Sequence, residues 1–390
     1  MNYSIYATFI ITFFCVIAYY KRMSLFSPLV LNCFAWGVSF VPGIFFYTDY
    51  YPITNSVFTA WMVWFFITSI LFIIFEPQKP ARFKELCNSK LEIRFNYQYV
   101  VYILAFILVY RIWVVGSSGQ SQFFLNLRLA TMNEIGYQTI GLIGQFYPLI
   151  LALFVFENIY ESKKNQAKRI ALWVWMALFA LAVMGKFAIL TPILIWIGIK
   201  ISKKEITVKN IFIIVIFTLL FMIFMQLIRS DGKTSVDYFK LLSVYTYSPI
   251  VGLGYVNFNL SPLFGANSLR LLYAIGYALG LNGPPVNLIF PYVEIPNLTN
   301  VYTVLYPFYI DFKIGGVLIF SVIYGCVFGL LYKGVNFKNT FFIALYFIFI
   351  PALFTQFFVE SLFSLLSFNI QVTFCLLVIF IISRKSDANC

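Results

Sequence analysis

The sequence predicts an all-α polytopic membrane protein, a single integral-membrane domain over residues 1–390 with about 11 transmembrane helices. Three observations carry that expectation. Hydrophobic residues make up 62% of the chain and charged residues only 11%, whereas a soluble domain averages roughly 25% charged. A chain so poor in charge cannot clothe itself with a polar surface. The apolar residues also come in runs of about 20, the length that crosses a hydrocarbon core. Finally, the cations sit between the runs and gather in alternate connections.

Taken in order, the runs are 4–20, 24–46, 57–75, 97–115, 140–156, 170–184, 187–199, 211–228, 315–332, 340–359 and 367–382. The first has no basic stretch before it and no small-residue cleavage site after it, so it reads as a retained span and not as a signal peptide. The joint at 170–200 is decided by charge. A single long helix there would reverse every later connection and place Lys200, Lys203, Lys204 and Lys209 outside. Two short helices meeting at Met184-Gly185-Lys186 keep the basic loops on one side, which gives eleven spans.

With that threading, 19 of the 27 Lys and Arg fall on one side, and the carboxylates divide evenly. The basic side is expected to be cytoplasmic, with the N-terminus periplasmic and the C-terminus cytoplasmic. The net charge of +13 is thereby accounted for without a nucleic-acid partner. The six cysteines have no CxxC or clustered spacing and read as small apolar fillers. His is absent, no GxxxxGK[ST] loop occurs, and there is no DxD or acidic cluster, so neither a metal nor a nucleotide cofactor is expected.

Two outward loops stand out, 116–139 and 229–314. Seven of the 15 prolines fall between Pro249 and Pro307, which predicts stiff turns and short helices lying on the membrane. One short helix is expected around Arg270, with Ser268 as its N-cap and Gly280 as its stop. Long connections of this kind usually carry function.

The charges that sidedness does not explain are Arg111, Arg128, Lys186, Arg229, Lys233, Lys240, Arg270 and Lys313, with Asp49, Glu134, Asp231, Asp237, Glu294, Asp311 and Glu360. Guanidinium groups at a membrane surface suit a lipid-linked diphosphate, because Arg binds phosphate oxygens bidentately and stays charged. Each has a plainer use. Arg111 and Lys313 can snorkel, Asp311 can cap a helix, and Glu360 can pair with a neighbouring cation. Tyr292, Tyr302, Tyr306, Phe308, Tyr309 and Phe312, interleaved with Asn297, Thr299, Asn300 and Thr303, suit a sugar. An interfacial aromatic belt would look the same.

The run Asn300-Val-Tyr-Thr-Val-Leu-Tyr-Pro-Phe-Tyr-Ile-Asp-Phe-Lys-Ile-Gly-Gly-Val resembles the Wzy-type oligosaccharide repeat-unit polymerases, also called O-antigen polymerases. Members of that family read NVYT…(F/Y)Y.DFG..G at the start of a late span with a Gly-containing helix. Arg229 directly after a span, Tyr245-Thr-Tyr-Ser-Pro-Ile about fifteen residues on, and Leu127-Arg128 extend the similarity, whose motif covers roughly 228–332. Two positions depart from the pattern. Lys313 stands where the family has the Gly of DFG, and Gly185-Lys186 replaces a Gly-Ser-Arg-like turn. Lys186 keeps the charge there but loses bidentate phosphate binding.

The resemblance implies a metal-independent, cofactor-free glycosyltransferase of GT-C-like architecture in the bacterial inner membrane. It would polymerise undecaprenyl-diphosphate-linked oligosaccharide repeat units into O-antigen or a similar surface polysaccharide on the periplasmic face. The lipid bilayer is its medium, and a chain-length regulator protein is a candidate partner. Arg128 and Arg229 would hold the diphosphate with Lys186 and Arg270 in support. Asp311 or Glu134 would orient or deprotonate the acceptor hydroxyl, and Asn300, Tyr302 and Tyr309 would bind sugar. An O-antigen ligase-like transferase shares the long loop, but a mechanistic His is expected there and this chain has none. A lipid-linked oligosaccharide flippase or other transporter would carry charges deep in its spans.

Overall fold

A computed structural model describes residues 2–77, 91–93, 96–119, 121–132, 134–160, 166–207, 209–210, 213, 243–256, 263–287, 289–336 and 340–385. In chain order its helices are α1 Tyr3–Tyr20, α2 Pro28–Phe46, α3 Asn55–Phe75, α4 Gln98–Ser118, α5 Phe123–Thr131, α6 Tyr147–Ile159, α7 Gln166–Val183 and α8 Lys186–Ser202. They continue with α9 Ser248–Gly252, α10 Arg270–Ala278, α11 Tyr306–Asn336, α12 Thr340–Phe354 and α13 Leu366–Ile382. Two minimal antiparallel ladders complete the described chain: β1 Leu91–Glu92 with β4 Arg384–Lys385, and β2 Val293–Glu294 with β3 Leu298–Thr299.

The protein is an all-α membrane protein. Among the described residues, seven helices are long and apolar enough to cross a membrane: Tyr3–Tyr20, Pro28–Asp49, Asn55–Phe75, Gln98–Ser118, Gly141–Ile159, Gln166–Val183 and Tyr306–Val335. Phe187–Ser202, Thr340–Phe354 and Leu366–Ile382 are shorter and equally apolar. α1 shows why water is the wrong solvent for them. Ala7, Ile11, Phe14 and Ala18 form its buried stripe, while Phe9 and Phe13 on other faces are 71% and 60% exposed. A helix apolar all round is at home only in hydrocarbon. Except for residue 213, the expected span 211–228 lies outside the described residues, as does Arg229.

The stretch 170–200 is two helices. α7 ends at Val183, Met184 turns through a positive φ of 48°, and α8 begins at Lys186. The helix expected from 315 instead begins at Tyr306, because Pro307 fits a first helical turn and the residues after it are apolar. It is not continuous. Lys313, at φ 54° and ψ −142°, breaks it into a short N-terminal piece and a long one.

The described chain falls into two compact units. The first comprises residues 1–81, 236–338 and 351–367. In it α3 and α11 lie so close that a methyl group on Gly325 or Gly329 would come within 2.5 Å of Leu71 or Phe75. Small residues of this kind let membrane helices approach backbone to backbone. A fully buried polar network ties the same unit together. Asn32 donates to Thr68 (3.3 Å) and Ser69 (3.1 Å), Gln356 donates to Asn32 (2.6 Å), and the Trp64 indole donates to Gln356 (3.0 Å). Glu360 is equally enclosed. It accepts from the Tyr324 hydroxyl and from the backbone N–H groups of Leu362, Phe363 and Ser364. These four donors correct the expectation of a cation partner: the carboxylate answers backbone groups that the chain leaves open before α13.

The second unit comprises residues 82–235, 339–350 and 368–390. Val115, Leu127, Ala130 and Met184 form one of its buried clusters, with Phe123, Tyr137, Ile140 and Ile189 packed round it. Tyr147 stacks between Phe179 (4.3 Å) and Phe368 (5.5 Å). Near the start of α4, Tyr97 donates to the buried Glu157 at 2.6 Å, and Lys168 reaches the carbonyl of Ile93 while lying 5.1 Å from the Tyr97 ring.

Candidate functional site

The residues singled out from the sequence divide between the two units. Arg270, Asn300, Tyr302, Tyr309 and Asp311 belong to the first; Arg128, Glu134 and Lys186 belong to the second.

In the first unit Asp311 is the organising group. It sits just before the Lys313 break, and its carboxylate receives the Asn267 amide side chain at 2.8 Å, the Asn267 N–H at 3.0 Å, the Ser268 N–H at 2.7 Å and the Ser268 hydroxyl at 2.6 Å. A charged acceptor with this many donors is strongly held. Its visible work is to fasten the turn 263–269 that leads into α10. Ser268 was expected to cap that helix. The structure puts Leu269 at the cap and turns the Ser268 hydroxyl to Asp311 instead. Gly280 does end the helix region, at φ 74°, with Leu281 N–H bonded back to the Gly276 carbonyl at 2.8 Å.

Arg270 opens α10. Its Nε donates to the Val286 carbonyl at 2.9 Å, and partial burial lowers its pKa from the ordinary value without discharging it. A cation at the first residue of a helix faces the positive end of the macrodipole, a placement that an anion would relieve. Tyr302 is buried. Its hydroxyl donates to the Pro291 carbonyl at 2.7 Å, its ring stacks on Tyr306 at 4.7 Å, and burial raises its pKa. Tyr309 is buried as well, with the Lys313 ammonium 6.0 Å from its ring. Both rings are thus packed within the unit, while Asn300, half-buried after β3, lies nearer the surface.

In the second unit Arg128 lies half-buried in the last turn of α5, where a cation suits the helix dipole. Leu127 and Ala130 on the same helix pack on Met184, so α5 rests against the α7–α8 joint that ends at Lys186. Glu134 follows α5 and is exposed, its N–H bonded to the Leu129 carbonyl at 3.1 Å. Arg111 has a use the sequence left open. It donates to the carbonyls of Thr139 (2.6 Å) and Ile140 (3.3 Å) and so pins the far end of the loop 116–139. Asn126 was missed altogether. It is buried, donates to the carbonyls of Gly116 (2.8 Å) and Ser121 (2.9 Å), and accepts from the Ser121 N–H (2.9 Å). The signal available was an amide in the interior of a short apolar helix, a residue that costs stability unless bonded.

Among the described residues, no three His, Cys, Asp or Glu side chains come together in a way that would hold a metal ion. No family model, no curated protein and no solved structure matches the chain.

Proposed function

We propose that this protein is a metal-independent membrane glycosyltransferase of the Wzy type and of GT-C-like architecture. It polymerises undecaprenyl-diphosphate-linked oligosaccharide repeat units at the periplasmic face of a bacterial inner membrane, with the N-terminus periplasmic and the C-terminus cytoplasmic. One observation carries this reading. The family's DFG motif has its glycine where this chain has Lys313, and Lys313 holds φ 54°, ψ −142°, a backbone conformation that glycine adopts most readily. This backbone geometry is one that the glycine of a DFG sequence would accept, and it supports the reading.

In this proposal Arg128 and Arg229 stabilise the diphosphate as it leaves, with Lys186 in support, since fixed cations stabilise developing charge without a metal. Glu134, whose position leaves it exposed, takes the acceptor hydroxyl's proton. Asp311 positions the turn before Arg270. A chain-length regulator protein would act on the same machinery.

The test is a gene deletion complemented with wild-type or variant protein, read as the surface glycan ladder. The deletion is expected to leave one-repeat product that wild type extends and Arg229→Ala or Arg128→Ala does not. Full-length polymer with both variants would overturn the assignment. Loss of even the single repeat would move it to a flippase or ligase.

A further inference from the structure

The helix Arg270–Ala278 is built inside out for water. Its polar side faces its own loop: Arg270 Nε bonds the Val286 carbonyl, and the Tyr273 hydroxyl bonds the Phe264 carbonyl at 2.6 Å. Its aliphatic side faces outwards. Leu272, Ile275 and Leu279, spaced at i, i+3 and i+7 along one stripe, are 62%, 48% and 68% exposed. None of the nine residues is buried. A short helix in water would turn these sides round.

The helix also has a fixed level. Asp311 holds Asn267 and Ser268, the turn that precedes it, and Phe264 packs edge-on against Phe312 at 4.8 Å. Both anchors lie in the first turns of the apolar helix Tyr306–Val335. Directly after them that helix opens its own outward stripe, Ile314, Leu318 and Val322, exposed by 39%, 47% and 40%. This stripe on a membrane-spanning helix faces lipid. The anchors that hold Arg270–Ala278 thus lie at the N-terminal end of this stripe, next to Ile314.

We propose that Arg270–Ala278 is an in-plane membrane helix, seated with Leu272, Ile275 and Leu279 in the acyl boundary of the leaflet at the N-terminal end of α11. The occupant of its apolar face is lipid. Amphipathic helices of this kind bury one side into the headgroup–acyl boundary. The inference rests on the membrane fold and is independent of the glycosyltransferase proposal.

The test uses the full-length chain, with its six native cysteines replaced, in nanodiscs of phosphatidylethanolamine and phosphatidylglycerol. Leu272→Cys, Ile275→Cys and Leu279→Cys each receive a nitroxide, and Gly283→Cys, at an exposed position past the helix, serves as the aqueous reference. Collision rates with oxygen and with a water-soluble nickel chelate are compared. For the three helix positions the oxygen-to-nickel ratio is expected to exceed the reference by about fivefold or more, as burial of 5–10 Å in the interface requires. A ratio equal to the reference would place the face in water and overturn the proposal. Protection from both probes would place it against protein, a second copy included, and overturn it equally. The three positions are exposed, so any one that folds decides the question.

Discussion

Two loop clamps in this protein do the same job by different chemistry. In the first unit one carboxylate, Asp311, gathers four donors from two adjacent residues and so fixes the turn into Arg270–Ala278. In the second unit the loop 116–139 is closed by two side chains at separate places: Asn126 on Gly116 and Ser121, and Arg111 on Thr139 and Ile140. One arrangement concentrates the restraint on an anion that collects N–H and O–H groups. The other spreads it over donors that seek carbonyls. The backbone's unsatisfied groups decide which: a turn presenting N–H groups calls for a carboxylate, a loop end presenting C=O groups for an amide or guanidinium. Concentration makes the first clamp vulnerable to one substitution, and distribution makes the second degrade in steps.

The largest effect is therefore expected from Asp311→Ala. Four donors lose a charged acceptor together, and the loss should be about 3 kcal/mol, read as a lowered thermal midpoint in detergent, with Asp311→Asn roughly half as severe because it keeps one acceptor oxygen. If Asp311→Ala cost no more than Arg111→Ala, the contrast between the clamps would be wrong.

Next comes the approach behind Asp311. A methyl group on Gly316 would lie 2.4 Å from the Phe308 carbonyl oxygen, whereas one on Gly315 meets nothing within 4 Å. Gly316→Ala should cost about 2 kcal/mol, and Gly315→Ala should differ from wild type by less than about 0.5 kcal/mol in the same melts.

The distributed clamp predicts smaller steps. Arg111→Ala and Asn126→Ala should each cost about 1–2 kcal/mol, and their double mutant should come close to the sum, because the two share no partner in the loop. A double mutant no worse than either single one would mean that the loop opens as a unit. The last effect has the opposite sign. Lys313→Gly should raise stability by about 1 kcal/mol, since it relieves a positive φ at a residue with a Cβ. A loss on that substitution would show that the Lys313 side chain contributes more than its backbone costs.

Much of the fold was legible. The apolar runs located the helices, and the lysines after 200 required the break that Met184 and Gly185 make between α7 and α8. The start of α11 was placed nine residues late because Asp311 and Lys313 looked like the border of a span. In the folded chain the apolar turn Tyr306–Ile310 is already helical and the border is a kink. The candidate residues were legible as a set but not in their uses. Arg111 was open to snorkelling, and it binds two carbonyls nearly thirty residues away. For Tyr302 and Tyr309 the resemblance implied sugar and the composition an aromatic belt, and the structure adds that their rings are buried. Asn126 and Asn267 were not singled out, because an amide beside Arg128 or Ser268 has no spacing that points to its partner, and only the folded backbone brings Gly116, Ser121 and Asp311 to them.

Hydropathy and charge are local, additive properties of the chain, so the residue order alone dictated that apolar helices form, that a membrane receives them, and where most of them stop. The partner of a carboxylate or a guanidinium is different: Asp311 finds Asn267 and Ser268 some 44 residues upstream, and only the packed backbone brings them together. Tertiary structure alone decided which charged groups fasten loops, and which aliphatic face was left pointing outwards for lipid to cover.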